Sequence, residues 1–268
     1  MIGHRQIICE VKMFSNHLQR KAINRRRIMY IGFALALLCA VAAVGSGLGY
    51  RFGLWHFRTG FEILKWSFFL SGATLLILLA CMFFLQTKTR ADSIIGITGI
   101  VICLVLVYVP YSWKKTLDAY PYIHDVTTDT VNPPDFVIVG QLRTADDHSI
   151  EYDGLEVAEL QVKAYPDIKT LIIDGSIEKI VQLAESVLTD MNLELVSVDI
   201  ESGRIEAVAT SFLFGFKDDM VIRVTETDGA QVKIDVRSKS RVGKSDLGQN
   251  AKRIRRFMEG LTAHEVGA

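Results

Sequence analysis

Beyond Cys103 the chain contains no cysteine; its whole complement is Cys9, Cys39, Cys81 and Cys103. The C-terminal part therefore has no disulfide framework, no thiolate zinc site and no cysteine nucleophile. Glycine and proline are modest, at 20 and 5 of 268 residues, and half of the residues are apolar. That composition excludes collagen, disorder and a disulfide-stapled mini-protein. Net charge is also missing, since 30 Lys+Arg meet 30 Asp+Glu. This last absence is only apparent. Residues 1–118 hold 14 basic and 4 acidic side chains, a net of +10, and residues 119–268 hold 16 and 26, a net of −10. Halves of opposite sign suit two environments better than one neutral globule.

Charge is wholly absent from residues 28–50, 66–87 and 93–113. A helix needs roughly 20 apolar residues to cross the hydrocarbon core, so each stretch predicts a transmembrane helix. The first is too long for the apolar region of an ordinary signal peptide. No Asp, Glu, Lys, Arg or His lies within these stretches, which argues against an ion path or proton relay. Trp55, Trp66, Tyr108, Tyr111 and Trp113 stand near the span ends, as an interfacial aromatic belt would. The run Gly45-Ser46-Gly47-Leu48-Gly49 suits either close helix contact or a lipid-facing surface.

Lysine and arginine near the ends set the orientation. Arg5, Lys12, Arg20, Lys21, Arg25, Arg26, Arg27, Lys88 and Arg90 lie on one side; Arg51, Arg58, Lys65, Lys114 and Lys115 lie on the other. Nine against five places the N-terminus in the cytoplasm and, after three spans, the C-terminal domain outside. The expected location is the cytoplasmic (inner) membrane, multi-pass. The basic N-terminal cluster reads as a topology signal that attracts anionic lipid, not as a nucleic-acid site. The expected segments are a basic arm (1–27), a three-helix membrane domain (28–113), an irregular acidic connector (114–164) and a soluble α+β domain (165–264).

Asn132-Pro133-Pro134 forbids a helix in the connector. Asp146-Asp147-His148 reads as a turn and residues 136–139 as a short strand. A strand is expected at 170–173. Ser176 can cap a helix carrying Ile177, Ile180, Val181, Ala184, Val187, Leu188 and Met191 on one stripe, with Asn192 ending it. Four strands follow: one with Leu193, Leu195 and Val198, then 204–214, 220–225 and 230–240. Asp228-Gly229 marks a hairpin. A last helix, from about Gly248 to His264, turns Ala251, Ile254, Phe257, Met258 and Leu261 inward. The expected fold is a membrane protein with three transmembrane α-helices followed by an α+β domain. The order β-α-β-β-β-β-α gives an antiparallel sheet with two helices on one face.

The segment from Phe214 to Asp219 and the arginine-rich block from Asp235 to Arg255 resemble an uncharacterised bacterial and plastid family, domain of unknown function 1499. Residues 124–136 and Tyr165-Pro166-Asp167 also resemble its N-terminal part. The resemblance covers roughly residues 119–262 and implies an envelope or membrane-attached protein, with no settled activity and no catalytic residues to carry over.

The sharpest candidate chemistry is an anion site built from Arg237, Lys239, Arg241, Lys244 and Ser245, beside the start of the last helix. The other use of the same cations is a polar network with Asp218, Asp219 and Asp246. Gly243-Lys244-Ser245 is no phosphate-binding loop, because position 238 is Ser where that motif needs Gly. His124 with Asp125 and Asp129 can supply a base or a metal ligand, although His148 and His264 lack metal-ligand spacing. Ser238, Ser240 and Ser245 lack a nucleophile-elbow context. Lys217-Asp218-Asp219 reads as a turn or a paired carboxylate; Phe212, Phe214 and Phe216 read as core, or as a hydrophobic groove.

Neither a catalytic residue, a metal nor a cofactor is expected. The expected partners are the lipid bilayer, a membrane or envelope protein and an anionic lipid, with no nucleic acid. The leading reading is a membrane-anchored extracytoplasmic binding module. An envelope hydrolase using His124, and a structural subunit of a membrane complex, remain open beside it.

Overall fold

The computed structural model describes residues 2–84 and 89–266, with side chains for residue 23, residues 26–83 and residues 89–263. Lys88 lies outside the described residues, as do the side chains of Arg5, Cys9, Lys12, Arg20, Lys21, Arg25 and His264. The chain divides into two compact units, Met1–Trp113 and Lys114–Ala268.

Three helices build the first unit: α1 (Ile2–Arg51), α2 (Phe57–Phe84) and α3 (Arg90–Ala119). Arg26–Arg51, Phe57–Phe83 and Arg90–Ala119 are long and apolar enough to cross a membrane. The chain is thus a membrane protein with three transmembrane helices. Much of their apolar surface faces outward, and Met29, Ala36, Leu78 and Cys103 form a small buried seam. Between lipid-soluble helices close contact needs small residues. Gly32 and Gly99 both lie against Leu78, and Gly49 lies under the Trp55 ring. Gly45 has open space around it.

The second unit is an antiparallel sheet. Its strands are β1 (Asp125–Thr127), β2 (Leu171–Asp174), β3 (Glu194–Asp199), β4 (Arg204–Thr210), β5 (Lys217–Glu226) and β6 (Gln231–Ser240). Strands β3 to β6 lie side by side in chain order, and both β1 and β2 pair with β6 along its other edge. Helix α5 (Ile177–Asp190) carries the chain from β2 to β3 at the far edge, and α6 (Gln249–Val266) closes the unit. The Ser176 side chain accepts a hydrogen bond from the Lys179 amide and so caps α5. At its other end Asn192 takes a left-handed conformation, φ 59°.

Alternation along β6 decides the layering. Val232, Ile234 and Val236 join Met220, Ile222 and Val224 of β5 and Ile205 and Ala207 of β4. Ile180, Ala184, Val187 and Leu188 of α5 and Ala251, Ile254, Phe257 and Leu261 of α6 cover this face. The burial of these side chains, at ~1.5–3 kcal/mol for each one larger than alanine, drives the unit to fold.

Three local expectations fail. Residues 136–139 form no strand; the chain there enters a short 3₁₀ turn, Val139–Leu142, and the Val137, Ile138 and Val139 amides bond a carboxylate (below). The expected strand 204–214 stops at Thr210, because Ser211 closes a loop on Phe216 and Gly215 is left-handed at φ 69°. Phe212 consequently points into solvent, 90% exposed, while Phe214 is buried and stacked on Phe216. The stretch expected to be irregular also holds α4 (Leu155–Ala164).

The β3–β4 turn depends on Gly203, at φ 65°. A Cβ there would stand 2.1 Å from the Val224 carbonyl oxygen, which belongs to the neighbouring strand. Gly203→Ala should therefore destabilise the intact protein by ~3 kcal/mol or more, combining backbone strain with a clash that no side chain can relieve. Asn192→Gly should stay within ~0.5 kcal/mol. Urea midpoints of the detergent-solubilised chain check both.

Candidate functional site

The second face of the sheet carries charge. Lys233, Asp235, Arg237 and Lys239 alternate with the apolar residues of β6, opposite Thr225, Arg223, Val221 and Asp219 of β5. Alternating polar residues usually face water. Here they do not: Arg237 and Lys239, and likewise Asp219, Asp235 and Glu206, are essentially inaccessible. Residues 129–153, which follow β1, lie over them.

Each buried charge in that layer meets a partner from the covering segment or a neighbouring strand. Asp125, in β1, accepts Arg237 through Nε at 3.0 Å and Nη2 at 2.8 Å, and Lys239 lies at 3.2 Å. Arg237 also donates to the carbonyls of Pro134 and Ile150. Its guanidinium stacks between Phe136, 4.8 Å away, and Tyr152, 5.4 Å away. Lys239 finds a further two acceptors, Asp153 at 2.7 Å and the Glu151 carbonyl at 2.5 Å. Arg241 holds Asp219 by a two-pronged contact at 2.7 and 3.0 Å, and Arg143 reaches the same carboxylate at 2.8 Å. Asp235 takes Arg223, Lys233, Thr128 and Thr170. Glu206 accepts the amides of Val137, Ile138 and Val139, the start of the 3₁₀ turn. Beside this charge Phe136, Val139, Val208 and Val221 make a small apolar cluster.

The residues expected to bind an anion therefore divide. Arg237, Lys239 and Arg241 are buried and committed to protein carboxylates and carbonyls. Lys244 and Ser245 sit beyond β6 in the loop to α6; Lys244 is exposed, and the Ser245 hydroxyl accepts the Leu247 amide. The three carboxylates expected in a polar network also divide. Asp219 belongs to the buried layer. Asp218 lies on the helix side and holds Arg253. Asp246 caps α6 through the amides of Gly248 and Asn250, and burial pushes its carboxyl above the ordinary range against those two hydrogen bonds.

At the edge of the charged layer stands His124, whose ring stacks on His148 at 4.1 Å between centroids. Its Nε2 is 3.4 Å from an Asp153 oxygen, near enough for Coulomb attraction but without a hydrogen-bond partner. His148 meets the Gly243 carbonyl at 2.8 Å. Asp129 is drawn away into bonds with Lys233 and the Val131 and Asn132 amides, so only Asp125 of the two expected carboxylates stays in this neighbourhood. Among the described residues no three His, Cys, Asp or Glu side chains converge as metal ligands would. Arg143 and Asp153 were missed in the sequence; each is an isolated charge in a stretch without periodicity. Ser238 and Ser240 point to the helix side, bonded to Asn250, and are not available to His124.

Removing one partner of a buried ion pair leaves the other charged and dry, at a cost of ~3–5 kcal/mol. Arg237→Gln and Arg241→Gln should each lower the urea midpoint by that equivalent, whereas Lys244→Gln should change it by less than ~0.5 kcal/mol.

Burial, followed by the nearby His148 and Lys239 charges, holds the His124 imidazole below its ordinary 6.5; Asp153 and Asp125 oppose this. The unfolded chain therefore takes up a proton at higher pH than the folded one. This contribution to stability is complete above pH ~6.5 and is lost as the pH falls through the depressed folded value. Asp246, with its raised folded value, works in the opposite sense at lower pH. Stability profiles should show a decline on acidification just below pH 6.5 that His124→Gln removes; an unchanged slope in the variant would refute the assignment.

No curated protein matches the chain. The model of one family, described as "Protein of unknown function (DUF1499)", matches residues 125–261. That interval opens on Asp125, which anchors Arg237, and closes on Leu261, a fully buried residue of α6. The chain belongs to this DUF1499 family.

Proposed function

We propose that this chain is a membrane-anchored binding module, with its N-terminus in the cytoplasm and its sheet domain on the outer side of the cytoplasmic membrane. The orientation is supported by the nine-to-five excess of Lys and Arg on the N-terminal side of the spans. The observation that carries the binding role is the commitment of buried charge. Arg237, Lys239 and Arg241 hold a covering layer in place, so the domain is a rigid platform whose solvent-facing cations remain for a partner. An anionic envelope component or an envelope protein fits such a platform, and a structural subunit of a membrane complex would use the same anchor.

A second reading rests on His124, Asp125, Asp153 and Lys239, which converge at one edge of the charged layer and have the makings of a proton-transfer centre for an envelope hydrolase. His124→Ala in cells lacking the native gene separates the two. A binding module keeps its phenotype, and loss of the phenotype with a folded variant favours the enzyme.

Fusion of a reporter that is active only outside the cytoplasm, placed after Ala268, should give signal. A cytoplasmic reporter signal there would overturn the orientation. Native mass spectrometry of the chain purified in mild detergent should show it carrying an anionic component, whereas fixed stoichiometry with another membrane protein would favour the structural subunit.

A further inference from the structure

One cleft in the sheet domain is separate from the charged layer. It lies between the end of α5, the ends of β3 and β4 facing it, and the first turns of α6, and encloses about 360 Å³. Its lining includes apolar Met191, Leu193 and Ala209 and basic Lys252, Arg253 and Arg256. Arg253 is neutralised in part by Asp218, 2.6 Å away. Lys252 and Arg256 are exposed and, among the described residues, neither pairs with a carboxylate; Lys252 instead lies over the Tyr120 ring. In a domain whose residues 119–236 carry 23 acidic and 8 basic side chains, such cations stand out.

Two further observations choose the occupant. Thr210 lines the cleft, and two residues on the loop presents Phe212, 90% exposed. An exposed aromatic ring beside exposed cations is how a protein meets a phospholipid interface, ring at the acyl boundary and cations at the phosphates. Tyr120 packs over Gly248 at the start of α6, and in the sequence it follows the third apolar run by only seven residues.

We propose that this cleft and the adjoining Phe212 loop dock on anionic phospholipid, with one headgroup phosphate held by Lys252 and Arg256. This rests on the reading of the chain as an anchored binding module and names its ligand class. The orientation reporter tests that reading independently, since its signal does not depend on phosphate binding.

The test uses the intact chain in neutral detergent, titrated with short-chain phosphatidylglycerol, short-chain phosphatidylcholine and inorganic phosphate, with bound ligand counted by native mass spectrometry. Phosphatidylglycerol should add a saturable adduct that phosphatidylcholine does not. Lys252→Gln with Arg256→Gln should weaken that adduct about thirtyfold, corresponding to ~1 kcal/mol for each cation. Both residues are exposed, so the thermal midpoint should hold; if it falls, Arg256→Gln alone should weaken binding about fivefold. Phe212→Ser should weaken phosphatidylglycerol and leave inorganic phosphate unchanged. Phosphatidylglycerol binding equal to wild type in the double variant would overturn the proposal. Binding of inorganic phosphate as tight as the lipid, with Phe212→Ser silent on both, would assign the cleft to a free phosphate and overturn the lipid. Displacement of the adduct by an acidic peptide of higher affinity would assign it to a protein partner.

Discussion

The C-terminal domain depends on a layer of buried charge. Strand β6 carries cations where a strand in a two-layer fold would carry solvent-facing residues, and Asp125, Asp219 and Asp235 lie within the same dry layer. Charges of either sign cost several kcal/mol to bury alone, and their attraction repays this only with good geometry and further hydrogen bonds. The structure meets both conditions. Arg237 and Arg241 make two-pronged contacts, and Lys239 has three acceptors within 3.2 Å. Strand β1 and segment 129–153 must then keep one register against the sheet, since displacement would strand several charges at once. Such a layer adds little net stability over an apolar one, but it discriminates sharply against wrong arrangements.

The two faces of the sheet therefore obey different physics. On the helix face the contacts are apolar and non-directional, and the α5 and α6 stripes need only hydrophobic volume. On the other face contacts are directional, so an irregular chain can be fixed there without secondary structure of its own. Glu206 shows how: three successive amides bond one carboxylate, a service that a strand or helix would otherwise supply.

This difference explains what was legible in the sequence. The three spans, α5 with its Ser176 cap, the Asp228-Gly229 hairpin and the inward face of α6 announce themselves through composition, periodicity or turn chemistry, all local signals. The alternation of β6 was equally legible, but its polar half was not. Lys233, Asp235, Arg237 and Lys239 have the pattern of a solvated face, and only residues about a hundred positions earlier bury them. Helix α4 escaped for a related reason. Among its residues only Ala158 and Gln161 are buried, the latter bonding the Thr127 backbone, so it has no apolar stripe to betray it. The Phe212-Phe214-Phe216 alternation misled because it continues the period of β4 through a loop closed by Ser211 and Gly215.

The same reasoning separates two kinds of basic residue that composition treats alike. Residues 237–256 carry eight Lys and Arg against one Asp, which reads as a single patch. In three dimensions, Arg237, Lys239 and Arg241 are matched by carboxylates drawn from residues 125–219, and Arg253 and Arg255 by Asp218 and Asp167. Five of the 23 acidic side chains of residues 119–236 are therefore committed to the apparent patch. What remains without a carboxylate partner among the described residues is Lys244, Lys252 and Arg256, all exposed. A matched cation offers a ligand only what its carboxylate gives up, and in a dry layer that exchange costs more than an outside phosphate returns. Of the basic residues in 237–256, the unmatched ones are therefore those whose charge stays open to an outside anion.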